Sequence, residues 1–237
     1  VGQGDKLFLG RTVSLADLGI YNIAFFLAVF PGMLGGVVAN QILFPLYRQL
    51  PPSSGAHNFS KIRKARDLVT AGQMALYAVL ALAAIPLVGL MYDDRYVAAG
   101  PMLVILSLAQ MPGSVLIGSS RLLLAEGDSR SFSHLEIYRG FFKMGFLIGS
   151  FWLFGIFGVL ITPFLIFCVT YPLQQFYLAR FKGTDLLRDA MFMAVCLVVV
   201  GVAIEYNWES LVEFYRTSRA LAPAVTGNWH PESIFAP

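Results

Sequence analysis

Apolar residues in this chain gather into long runs broken by short polar knots. The stretch Leu68–Leu90 is almost wholly apolar, Met91-Tyr92-Asp93-Asp94-Arg95-Tyr96 interrupts it, and Val97–Ala125 resumes with one charge, Arg121. Each run exceeds the ~20 residues an α-helix needs to cross a hydrocarbon core, so the pair predicts a transmembrane helical hairpin. The same pattern predicts further spans at Leu18–Tyr47, Glu136–Phe154, Phe157–Leu178 and Leu186–Ile204. Residues 1–10 read as the end of a helix whose start is missing. The expected fold is an all-α, polytopic transmembrane bundle of about six full spans plus a truncated first helix. Residues 1–204 form one lobe and 205–237 a tail. In that tail Trp208, Leu211, Val212 and Tyr215 follow an i, i+3, i+4, i+7 spacing with Glu205, Glu209 and Glu213 on other faces, which predicts an interfacial amphipathic helix. From Pro223 onward the periodicity is lost and a loose end is expected.

Local signals refine these boundaries. Ser14 or Asp17 is placed to cap the first span, either side chain being able to accept from first-turn N–H groups. That span holds Pro31 and, four residues apart, Gly32 and Gly36, a spacing that lets a neighbouring helix approach closely or provides a hinge. Gly155-Ile156 is all that separates two spans, so a tight hairpin is expected there.

Composition agrees with lipid as the main solvent: 57% of the residues are hydrophobic and only 13% charged, where soluble domains carry roughly 25%. Cys168 and Cys196 both lie inside apolar runs and are expected to be buried free thiols. The basic residues are unevenly spread. With loops numbered alternately, twelve (Arg48, Lys61, Arg63, Lys64, Arg66, Arg121, Arg130, Arg139, Lys143, Arg180, Lys182, Arg188) fall toward one side and four (Arg11, Arg95, Arg216, Arg219) toward the other. The positive-inside rule then assigns 48–67, 121–135 and 180–188 to the cytoplasm and the 92–96 tip to the outside.

Sequence signals for enzymatic chemistry are missing. There is no Walker loop, no His/Cys set at metal spacing and no Gly-x-Ser-x-Gly elbow. His57, His134 and His230 stand apart from one another, and Asp93-Asp94 reads as a solvated turn. No cofactor, metal, catalytic residue or nucleic-acid partner is expected. The sharper signal is in span four, where Glu136, Arg139 and Lys143 recur at i, i+3 and i+7 and so share a helical face. Lys143 stands roughly 10 Å beyond Glu136 along the axis at 1.5 Å per residue. An ammonium at that depth either faces a bundle interior or a water-filled cavity, or snorkels back to the headgroups. Arg121, near the same leaflet, extends the basic patch and suits a phosphate. The amides Asn22, Asn40, Gln41 and Gln110, together with Gln73, either line a polar path or act as interhelical glue.

Several stretches resemble a known family. Asp5-Lys6-Leu7-Phe8-Leu9-Gly10 followed by Asp17-Leu18-Gly19-Ile20-Tyr21-Asn22-Ile23-Ala24 is similar to a pattern of Wzx-like polysaccharide (O-antigen) flippases, members of the multidrug/oligosaccharidyl-lipid/polysaccharide exporter superfamily. Phe44-Pro45-Leu46, the segment Leu90–Leu103 and Leu123-Leu124-Ala125-Glu126-Gly127-Asp128-Ser129-Arg130 resemble the same family, so the likeness covers about residues 5–180. It implies the C-terminal half of a two-lobed transporter in the bacterial inner membrane, its N-terminal lobe lying outside this sequence. It also implies alternating-access flipping of undecaprenyl-type lipid-linked glycans among membrane lipids. No short family motif carries the cationic cavity positions, so Lys143, Arg139 and Arg121 rest on the residue reading alone. The end departs from the pattern, with one span and an amphipathic tail after residue 180. Two rivals remain. A cation-coupled multidrug exporter of the same superfamily needs a membrane-embedded carboxylate, and only Asp5 and Glu136 stand near a span. A glycan polymerase or ligase needs a large outward loop, and the outward internal loops here are short.

Overall fold

The computed structural model describes residues 9–12, 14–51, 56–181 and 183–227. Among them the ordered elements are helical: α1 (Leu15–Gln49), α2 (Ala56–Met91), α3 (Ala99–Ala125), α4 (Ser129–Phe154), α5 (Ile156–Ala179), α6 (Leu186–Tyr206) and α7 (Trp208–Gly227). Five of them, α1, α2, α3, α5 and α6, are long and apolar enough to cross a membrane. Their large side chains face outward in number: Phe26, Phe30 and Met33 on α1, Val79 on α2, Leu197 and Val198 on α6. In water such a surface would drive aggregation; against lipid tails it costs nothing. The chain is a membrane-spanning helical bundle.

Local chemistry sets the boundaries. Ser14 caps α1, its hydroxyl accepting from the Asp17 backbone N–H at 3.1 Å and donating to the Asp17 carboxylate at 2.7 Å. Near its far end α1 widens into a π-helical turn over Ala39–Leu43. Pro45 explains the turn: it has no N–H to offer the Gln41 carbonyl four residues back, and the Phe44 N–H reaches Ala39 instead. Between α2 and α3 the polar tip forms a short 3₁₀ turn at Asp94–Tyr96, with Arg95 and Asp93 paired in the open at 3.4 Å. Gly155 alone turns α4 into α5, at φ 63° and ψ −143°, a conformation in which a β-carbon would be strained. Just beyond it Gly158 lies against the Ser150 carbonyl with no room for a side chain, and the Ser150 and Thr162 hydroxyls meet at 3.2 Å across the same crossing.

α3 is the hub. In its most apolar stretch 78% of the residues are buried, against 17–33% in the other four apolar helices. One core, around Ala81, Leu103, Leu106, Leu160 and Ala203, packs α1, α2, α5 and α6 against α3; Leu211 and Phe214 of α7 lie on it. A second core gathers Leu43, Tyr47, Ile62, Leu122, Leu135 and Leu178 at the opposite end. The described parts of 48–67, 121–135 and 180–188 therefore meet at one end of the bundle.

Four expectations change. The close α1–α2 approach uses Gly32 and Gly35, not Gly36. A β-carbon at Gly35 would sit 2.5 Å from Gln73 Oε1 and one at Gly32 2.9 Å from the Tyr77 hydroxyl, whereas one at Gly36 would meet nothing within 4 Å. Cys196 is buried but Cys168 is exposed on the outer face of α5. The backbone of α7 stays helical to Gly227, past Pro223. Finally α4, at 26 residues long enough to span, is not among the five apolar helices, because Arg139 and Lys143 lie within it. The Asp5-Lys6 motif and His230 lie outside the described residues.

Candidate functional site

α4 begins at Ser129, earlier than its apolar run, so Lys143 lies fourteen residues in, about 21 Å along the axis and past the middle of the helix. The stripe it shares with Glu136 and Arg139 lines half-open hollows, with the Glu136 and Arg139 side chains still 39% and 30% exposed. Two cavities line up along it between α1, α3, α4 and α5, sharing Gly32, Gly113, Ile117, Arg139, Pro163 and Ile166. The one nearer the second core has a volume of about 280 Å³ and takes in Arg121, Glu136, Arg139, Ser120 and Thr170. The deeper one, about 350 Å³, adds Lys143, Gln110, Gln73, Tyr77 and Thr162. Three cations and one carboxylate thus line two adjoining hollows, Arg121 and Glu136 in the one, Lys143 in the other and Arg139 in both.

The hollow exists because its walls lack bulk and regularity. Gly32 and Gly36 of α1 and Gly113 of α3 present no side chains. At Met111–Gly113 α3 tightens into a 3₁₀ turn, where Pro112 interrupts the regular hydrogen-bond ladder. Arg139 is held on both sides, donating to Glu136 at 2.7 Å and to Gln174 Oε1 at 3.5 Å. Gln174 is itself fixed, its amide nitrogen donating to Ser119 Oγ at 2.8 Å and to the Leu116 carbonyl at 3.0 Å. Arg139 retains donors on a side chain still 30% exposed toward the cavity. A fixed guanidinium, with a second guanidinium and an ammonium lining the adjoining hollows, has the donor chemistry that suits an anion with several oxygens.

Not every predicted residue joins the hollow. Gln110 does; Asn22 lines neither cavity, and its Oδ1 is buried without a hydrogen-bond partner. Asn40 and Gln41 fall in the π-helical turn and are exposed on the outside of α1. His134 is exposed on α4, and no cluster of metal-ligating side chains occurs among the described residues.

A second polar centre escaped the sequence reading. Arg66 of α2, 6% exposed, meets Asp189 in the first turn of α6, 1% exposed, at 2.6 Å. Gln175 donates to the other carboxylate oxygen at 2.7 Å and the Tyr171 hydroxyl at 3.3 Å, while Arg66 also donates to the Gly183 carbonyl at 3.3 Å. Around this pair, Arg63 joins Asp185 at 2.6 Å and Arg188 bridges Asp67 and Asp185. Asp189 corrects the view that Asp5 and Glu136 are the only carboxylates near a span. The available signal was Gln174-Gln175 within the apolar run Phe157–Leu178, since paired amides in a span need partners. Adjacent on α5, the two glutamines serve different neighbours, one the cavity arginine and the other the buried ion pair.

Set beside known proteins, the chain matches no family model, no curated protein and no solved structure.

Proposed function

We propose that this chain is the C-terminal lobe of a bacterial inner-membrane transporter that moves lipid-linked oligosaccharide or polysaccharide intermediates across the bilayer by alternating access, without acting as an enzyme. Its substrate is an undecaprenyl-type diphosphate glycan. The carrying observation is that Arg121, Arg139 and Lys143, with Glu136 as local counter-ion, line two adjoining half-open hollows of a bundle whose exterior is apolar. A cation held at mid-membrane depth is costly, a few kcal/mol at a helix centre, and is retained where it faces water, a partner or a substrate. A diphosphate headgroup gains from those charges while its hydrocarbon tail stays in lipid. The resemblance of residues 5–180 to Wzx-like flippases supports the same substrate class. A cation-coupled drug exporter would use a membrane carboxylate free to exchange a proton or metal ion. Asp189 is buried, but Arg66, Gln175 and Tyr171 already occupy its oxygens.

Lys143→Met tests the proposal, because it keeps length and apolar packing while removing the charge. Losing one charge-assisted contact of about 1.5–3 kcal/mol corresponds to a roughly ten- to hundred-fold loss in affinity for the anionic headgroup. Glycan export in cells depleted of the native protein should fall accordingly at unchanged membrane abundance. Full export by the Met variant would end the proposal.

A further inference from the structure

The deep end of the hollow differs in chemistry from its cationic side. Gln73 of α2 is 3% exposed and Tyr77, one turn on, is 2% exposed; together with Gln110 of α3 they line the deeper cavity but not the shallower one. Gln73 Oε1, lying over Gly35, and Gln110 Nε2 are both buried and have no hydrogen-bond partner. One is an acceptor and the other a donor. Each such group costs about 1–3 kcal/mol when buried unsatisfied, so apolar residues of the same shape would make a more stable bundle. The Tyr77 hydroxyl, which can both donate and accept, already meets the Gln73 side chain and the Gly32 backbone and so holds the amide in place. Among the described residues lining this cavity, the charged ones are Lys143 and Arg139, at its border.

We propose that Gln73, Gln110 and Tyr77 form a subsite for a neutral, hydroxyl-bearing group, the sugar next to the diphosphate, with Lys143 and Arg139 marking the boundary between the two halves of the headgroup. The assignment rests on the translocation role proposed above. Sugar hydroxyls suit the two orphaned amide atoms because each hydroxyl donates one hydrogen bond and accepts others. A charged group would gain nothing from neutral amides that the arginines do not supply better. Sites built to hydrogen-bond a hydroxyl discriminate strongly against ligands lacking it, since their own polar groups are then left unpaired.

The test uses two soluble probes, a short-chain prenyl diphosphate and the same molecule carrying one N-acetylhexosamine, titrated by calorimetry into the full-length protein in nanodiscs. The wild type should bind the glycosylated probe at least about ten-fold more tightly than the bare one. Gln73→Met and Gln110→Met should each erase most of that gain without lowering the thermal unfolding midpoint. Gln73→Asn, which keeps the amide but shortens it, should retain part of the gain. Arg139→Met should weaken both probes alike. A wild type that binds both probes equally, or glutamine variants that keep the sugar's gain, overturns the subsite while leaving the anion site standing; amides that serve only water or helix packing give that result. Binding of neither probe overturns the translocation role and the subsite together.

Discussion

Asp189 and Arg66 are 123 positions apart, yet their side chains make the most enclosed ion pair among the described residues. Neither position betrays the other. By contrast Glu136, Arg139 and Lys143 were legible as a face because one helix's 3.6-residue period relates them. Sequence reasoning finds constellations carried by a single element and misses those assembled by packing, such as Gln174 on Ser119 or Gln175 on Asp189. The buried pair carries a direct expectation. Removing one partner strands a charge, which costs about 3–5 kcal/mol, whereas replacing both by apolar residues is often neutral. Asp189→Leu should therefore lower the thermal midpoint of the detergent-solubilised protein sharply, and adding Arg66→Met should restore most of it. Equal losses in the single and double variants would show that the site matters for something other than charge pairing.

Among whole elements, the hairpins were plain in the sequence because run length and polar tips define them. Hidden were the π-helical turn in α1, which follows from one proline's missing N–H, and the choice of Gly35 over Gly36, which depends on the rotation of α2. α4 is the informative case. Its apolar run suggested a start near residue 136, but Asp128 starts it a full two turns earlier, accepting from the Ser131 backbone N–H at 3.1 Å. Hydrogen bonds from the Ser131 side chain and backbone hold the Asp128 carboxyl below its ordinary value of 3.8. The cap is thus fully present above the unfolded-state value and is lost as pH falls through the lower folded-state one. Asp128→Ala should weaken the first turn of α4 by about 1 kcal/mol. Hydrogen exchange at residues 131–133, taken as a ratio to wild type, should show that gap in full at pH 6 and closing below the aspartate range. A gap independent of pH would remove Asp128 from the role.

For the molecule as a whole, the described parts of 48–67, 121–135 and 180–188 lie at one end, and the basic asymmetry predicts that this end faces the cytoplasm. Two exposed positions report the orientation, Ser60 at the start of α2 and Asp94 at the opposite tip. In a background lacking Cys168 and Cys196, Asp94→Cys should react with a membrane-impermeant maleimide added to sealed cells, while Ser60→Cys reacts only after lysis. The reverse pattern would invert the topology. The apolar exterior was legible from composition; the hollow was not, because it depends on glycines of α1 coinciding in depth with Gly113 and the broken turn of α3.

The burial of α3 has a consequence for how the protein is made. Of the five apolar helices it is the least apolar, and Ser107, Ser114, Ser119 and Ser120 are hidden only because neighbours on every side cover them. α5, whose Gln174 satisfies Ser119, lies later in the chain than α3. As a polypeptide threads from the ribosome into the bilayer, α3 leaves the insertion machinery before that neighbour has been synthesised, with α1 and α2 as its early shelter. Until α5 follows, the nascent α2–α3 hairpin carries those serines without the neighbour that covers them in the finished bundle. Substitutions that add polarity to α3 will show first as lost yield, before any effect on the finished bundle can be measured.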